Sequence, residues 1–120
     1  MSKIYLICPV RKATHKQKRQ LEDYTVQLTN QGHNVYYPAW DNPHEETDNI
    51  GVDICLHLKR TIERADEVHI YWNEASEGSL MDLGMVFMAE KPIKFIRPPE
   101  PTEGKSYNNV MLNWPWGIVK

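Results

Sequence analysis

The chain has 120 residues, 41% of them hydrophobic and 25% charged, with a formal net charge of −2 at pH 7. That length makes one domain, 1–120, with a modest core. The slightly acidic balance argues against a nucleic-acid binder, and no apolar run approaches the roughly 20 residues of a membrane-spanning helix. Cys8 and Cys55, the two cysteines, show neither metal-ligand spacing nor a disulfide framework, which suits a reducing compartment. With no signal-peptide pattern in view, the expected location is cytoplasmic.

In chain order, KIYLIC (3–8) is an apolar run rich in strand formers, ended by Pro9. The basic stretch RKATHKQKR (11–19) leads into a helix on which Leu21, Tyr24 and Leu28 share a face and which Gly32 stops. NVYYP (34–38) reads as a second strand, and AWDNPHEETDNIG (39–51) as a loop. Cys55, Leu58, Ile62 and Ala65 form the apolar stripe of a second helix. EVHIYW (67–72) is a third strand, residues 79–90 a third, largely apolar helix, and PIKFIR a fourth strand opened by Pro92. PPEPTEGKS is a loop. The tail YNNVMLNWPWGIVK has no clear period, and a short closing strand is expected there. Such alternation predicts a three-layer α/β/α fold, flavodoxin- or Rossmann-like, on a parallel sheet of four to five strands. Ligands in these sheets sit beyond the C-terminal strand ends at a topological switch point. The loops after Cys8, Pro38 and Trp72 are therefore the places to look for a site.

The third of these, ASEGSLMDLGM (75–85), hands a Ser/Gly turn to a helix carrying one acid, Asp82. Two readings are open. Ser79 and Asp82 fit the spacing of a capping box, with Ser79 as the N-cap. Alternatively the helix N-terminus, with Ser76 and Gly78 before it, holds an anion, and an ionised Asp82 works on a bound sugar as nucleophile or stabiliser of a cationic anomeric carbon. Tyr5 on the first strand is either a core aromatic or part of that site, and Arg11 either a solvated charge or an anion ligand. PAWDN (38–42) supplies Trp40, a stacking surface for a base, and Asp41. The His residues show no metal-ligand spacing, HEE (44–46) falls in a loop, and no Walker or Gly-x-Gly-x-x-Gly motif occurs. No metal or organic cofactor is expected.

Together these residues resemble the nucleoside 2-deoxyribosyltransferase family over roughly residues 3–114. Tyr5 matches the family's first-strand Tyr. Ser76, Gly78 and Asp82-Leu83-Gly84 match its signature turn and helix, Pro38, Asp41 and Asn42 its Pro-x-x-Asp-Asn, and Asn109 and Met111 its C-terminal motif. The resemblance implies that the last segment completes a neighbouring subunit's site, hence a homo-oligomer, at least a dimer. It also implies a substrate branch. Nucleoside-specific members place Asp six residues before the nucleophile. The deoxynucleoside 5′-monophosphate N-glycosidase branch has Ser there, as Ser76 precedes Asp82, and Arg six residues after its Tyr, as Arg11 follows Tyr5.

Two departures stand out. The family nucleophile is Glu, where this chain has Asp82, shorter by about 1.5 Å, when a misplacement near 1 Å can cost about 100-fold. The family's Asp on the second helix falls at Leu58, beside His57, so either His57 takes the proton-transfer role, oriented by Asp53 one turn away, or that role is lost. The implied catalytic set is Asp82, Tyr5 and His57. The implied substrate-binding set is Ser76, Gly78, Arg11, Pro9, Trp40, Asp41, Asn109 and Met111. Two functions follow as alternatives: an enzyme that cleaves or transfers the N-glycosidic bond of a nucleoside or (deoxy)nucleoside 5′-monophosphate, or a non-catalytic binder of a nucleotide or nucleotide-derived signal.

Overall fold

Five parallel strands in the order β2-β1-β3-β4-β5 organise the chain. The computed structural model describes residues 1–43 and 50–120. β1 (Lys3–Ile7) runs between β2 (Asn34–Tyr36) and β3 (Glu67–Tyr71). β4 (Ile93–Arg97) follows β3, and the two-residue β5 (Ile118–Val119) closes the far edge, as expected for the tail.

The strand period of two divides the core. Ile4, Leu6 and Cys8 face one side with Tyr71, packing on Leu21, Tyr24 and Leu28 of helix α1 (His15–Asn30). Tyr5 and Ile7 face the other with Val68, Ile70 and Trp72, beneath α3 (Val52–Arg64), α4 (Glu77–Met88) and α5 (Tyr107–Leu112). The result is helix, sheet, helix in three layers.

Local chemistry sets the boundaries. α1 starts before the apolar stripe does, because Thr14 and Gln17 form a reciprocal capping box. The exposed cations Lys16, Lys18 and Arg19 therefore lie inside the helix. It ends at Gly32 (φ 93°), where Gly32 N–H donates to the Thr29 carbonyl and His33 N–H to the Leu28 carbonyl, a Schellman stop. The stretch expected as loop from Ala39 begins instead with a short helix, α2 (Pro38–Asp41). Pro38 is preorganised for its first position, and the Asp41 carboxylate accepts the Tyr37 N–H at 2.8 Å. His44, Glu45 and Glu46 lie outside the described residues. Among the described residues no helix is long and apolar enough to cross a membrane.

Candidate active site

The chain passes from β1 to β2 on one side, then returns across β1 to β3, so the strand order reverses between β1 and β3. A cleft of about 420 Å³ opens there, at the C-terminal strand ends where the sequence placed it. Cys8, Val10, Arg11 and Lys12 come from the loop after β1, Pro38 and Asn42 from the region after β2, Leu58 from α3, and residues 75–79 with Asp82 from the turn after β3 and the start of α4.

Asp82 is the buried acid of this cleft, 8% exposed. It is held from below: the Tyr5 hydroxyl donates to Asp82 Oδ2 at 2.9 Å. Burial pushes the Asp82 carboxyl up to about 6, against which the Tyr5 hydrogen bond pulls down. Burial and the neighbouring carboxylate push the Tyr5 phenol far above its ordinary range, so it stays a donor. Cys8 is likewise pushed up to about 12, first by burial and then by Asp82, and remains a thiol. Near neutral pH the site thus contains an ionised carboxylate with one oxygen fixed by a phenol.

The other wall is the start of α4. Ser76, not Ser79, is the N-cap: its Oγ accepts the Ser79 N–H at 3.2 Å. That corrects the capping-box reading and moves Asp82 to the sixth helical residue, beyond reach of the cap. Gly78 lies in the first turn, and a Cβ added there would meet nothing within 4 Å. Its backbone is ordinary, so its contribution is open space on the cleft side. The partial positive charge of the helix terminus, with Arg11 and Lys12 across the cleft, favours an anion here. Glu77 also lines this wall and is exposed.

The remaining predicted residues divide. Pro9 is buried between two lining residues without itself lining the cleft. His57 is half-buried outside the cleft, its ring tilted on Tyr36 at 5.8 Å, and Tyr36 stacks on Tyr5 at 5.4 Å. His57 thus contacts Tyr36, which in turn feels the Asp82 charge. Trp40, 49% exposed, sets its edge against Tyr37 and does not line the cleft, while Asp41 is engaged at the start of α2. Met111 is fully buried in the core. Asn109 ties down the preceding loop through the Thr102 and Gly104 carbonyls.

Sequence reasoning missed Lys12, Asn42 and Ser79. Lys12 was one of several cations in its run, and Asn42 was quoted only for its motif. The Tyr36 hydroxyl donates to Asn42 Oδ1 at 2.6 Å, leaving the amide nitrogen as a donor for the cleft. No clustering of three or more His, Cys, Asp or Glu suited to a metal occurs among the described residues.

A buried acid at the switch point of a flavodoxin-ordered sheet, facing an anion-favouring helix start, defines the class: an α/β/α protein with a small-molecule cleft. Solved structures that share this fold include two enzymes. A 2-deoxyribosyltransferase from the psychrotolerant bacterium Bacillus psychrosaccharolyticus superposes with a TM-score of 0.69 at 20% identity, over 90% of this chain and 89% of that one. The CMP N-glycosidase of Clostridium botulinum superposes with a TM-score of 0.63 at 15% identity, over 98% of this chain and 87% of that one. No protein-family model matches the chain, and no curated protein matches it by sequence.

Proposed function

We propose that this protein belongs to the nucleoside 2-deoxyribosyltransferase-like family and cleaves or transfers the N-glycosidic bond of a nucleoside 5′-monophosphate. The observation that carries the proposal is the pairing, within one cleft, of the Tyr5-held Asp82 carboxylate with the anion-favouring start of α4. The phosphate sits among Ser76, Gly78, Arg11 and Lys12. The sugar then lies over Asp82, whose free oxygen attacks C1′ or stabilises its positive charge as the base departs with the bonding pair. Asn42 donates to the base or sugar. Water or a second base completes the turnover. The fold shared with a 2-deoxyribosyltransferase and a CMP N-glycosidase supports the reaction class.

The implied homo-oligomer has a surface to form on. α4 carries no charge between Glu77 and Glu90 except buried Asp82, and Leu80, Met81, Phe87 and Met88 are all at least 42% exposed. Gly84 lies among them with open space above it. A two-fold interface pairs one patch with its own copy, which an uncharged stripe permits without like-charge repulsion, and a second copy is the occupant we propose for it. Asn109 and Met111 are both engaged within their own chain, which leaves no support for their reaching a neighbouring subunit's site.

The deciding experiment is free-base release from AMP, GMP, CMP, UMP and the four deoxy counterparts, alongside their nucleosides. Asp82→Asn should abolish release, and Ser76→Asp should abolish it from the monophosphates. A second reading, a non-catalytic nucleotide binder, is favoured by the position of His57 outside the cleft. Thermal stabilisation by a monophosphate with no release from any substrate would establish that reading instead.

A further inference from the structure

A second cavity, of about 390 Å³, lies beside the cleft and meets it at Ala75. It is lined by the turn after β3, Trp72 to Ala75, and by the end of β4 and the residues after it, Arg97 to Glu100. Its volume suits a small molecule. Trp72 is 7% exposed, and its indole N–H is buried with no acceptor among the described residues. An unpaired buried donor is costly, and Trp72 lines this cavity, not the cleft around Asp82. Two more donors border the cavity. Asn73 uses its Oδ1 to accept the Ala75 N–H at 2.9 Å, which leaves its amide nitrogen as a donor. The Arg97 guanidinium lies over the Tyr71 ring, 5.6 Å from its centre. The same walls carry two acceptors, the exposed acids Glu74 and Glu100, and apolar surface from Pro98 and Pro99.

We infer that this cavity is a second ligand site, for a planar heterocycle that carries an exocyclic amine beside a ring acceptor, as adenine and cytosine do. The ring nitrogen or carbonyl accepts from Trp72 Nε1 and Arg97, and the amine donates to Glu74 or Glu100. A simple anion would satisfy the donors but meet two carboxylates, and a simple cation would meet Arg97. A neutral ring with both kinds of edge suits all of these groups. The cavity would take such a ring whatever reaction Asp82 performs. Two sources of the ring fit the geometry. One is a free base. The other is the far half of a dinucleotide that spans both cavities across Ala75, with its phosphates at the start of α4.

The test follows the indole N–H signals of the four tryptophans by two-dimensional NMR, in the Asp82→Asn protein so that ligands stay intact. Trp72→Phe assigns the Trp72 signal by its loss. Adenine and cytosine should move that signal to lower field and saturate, as the donor gains an acceptor, while uracil, which lacks the amine, should bind more weakly. Arg97→Ala, at an exposed position outside the cleft, should weaken the response by about 10-fold, as expected for a hydrogen bond from a charged group. In the Asp82 protein the same variant should leave base release from monophosphates unchanged. Diadenosine diphosphate binding about 10-fold or more tighter than AMP, with the gain lost in Arg97→Ala, identifies a spanning dinucleotide. A response to adenine without that gain identifies the free base. A Trp72 signal that no base or dinucleotide moves overturns the inference. So does one that uracil moves equally well, or one whose response survives Arg97→Ala undiminished.

Discussion

Replacing Asp82 by Asn should stabilise the protein, with an effect that grows from about pH 4 and is complete above about pH 6. The folded carboxyl titrates at about 6 against an ordinary value of 3.8, chiefly because burial disfavours its charge. A group whose folded pKa is raised favours folding most below its unfolded value, and that advantage is lost as pH rises through the folded one. The gap of about two pH units, at about 1.4 kcal/mol each, makes the ionised carboxylate a cost of about 3 kcal/mol at pH 8. Asn presents a neutral carbonyl to the Tyr5 hydroxyl in place of Oδ2. The variant should therefore melt about 10 °C higher than the parent at pH 8, with the difference nearly intact at pH 6, about halved at pH 5 and small by pH 4. Thermal melts of both proteins across pH 4–8 make the comparison. A variant less stable at pH 8, or a difference that ignores pH, would refute the argument that burial strains this acid.

If base release depends on ionised Asp82, its rate should fall as pH drops through about 6. Tyr5→Phe removes the hydrogen bond that lowers this pKa, so the acid limb should move to higher pH; an unmoved limb in the rate profile would assign it to another group. Gly78→Ala should leave folding intact or improve it by up to about 1 kcal/mol, since alanine is the better helix former, while its methyl intrudes on the cleft and weakens monophosphate binding; calorimetry and thermal melts read the two effects separately. His57→Ala should change base release less than 3-fold, because the side chain does not line the cleft and packs on Tyr36; a loss of 100-fold would restore it as a proton-transfer group. Met88→Lys, at the most exposed apolar position of α4, should shift the protein toward monomer in analytical ultracentrifugation.

Much of this was legible in the residues. The alternation of strand and helix signals is a local property, so the α/β/α layering and the parallel sheet could be read from periodicity. The Thr14-x-x-Gln17 box also lay in the open, and would have put the start of α1 where it is. Ser76, Gly78 and Arg11 were singled out from the turn and loop chemistry at strand ends, and the cleft does bring them together with Asp82. What local pattern could not decide was direction and partnership. Whether Ser76 or Ser79 caps α4 depends on where the chain leaves β3. That one hydroxyl of Tyr5 reaches an acid 77 positions away depends on β1 lying beneath α4. His57 was matched by counting along a helix, and its actual neighbour, Tyr36, comes from a strand paired on the other side of β1. The raised pKa of Asp82 belongs wholly to the tertiary structure: the sequence supplied an aspartate, and only the packing of sheet and helices around it removed the water that would have kept it ordinary.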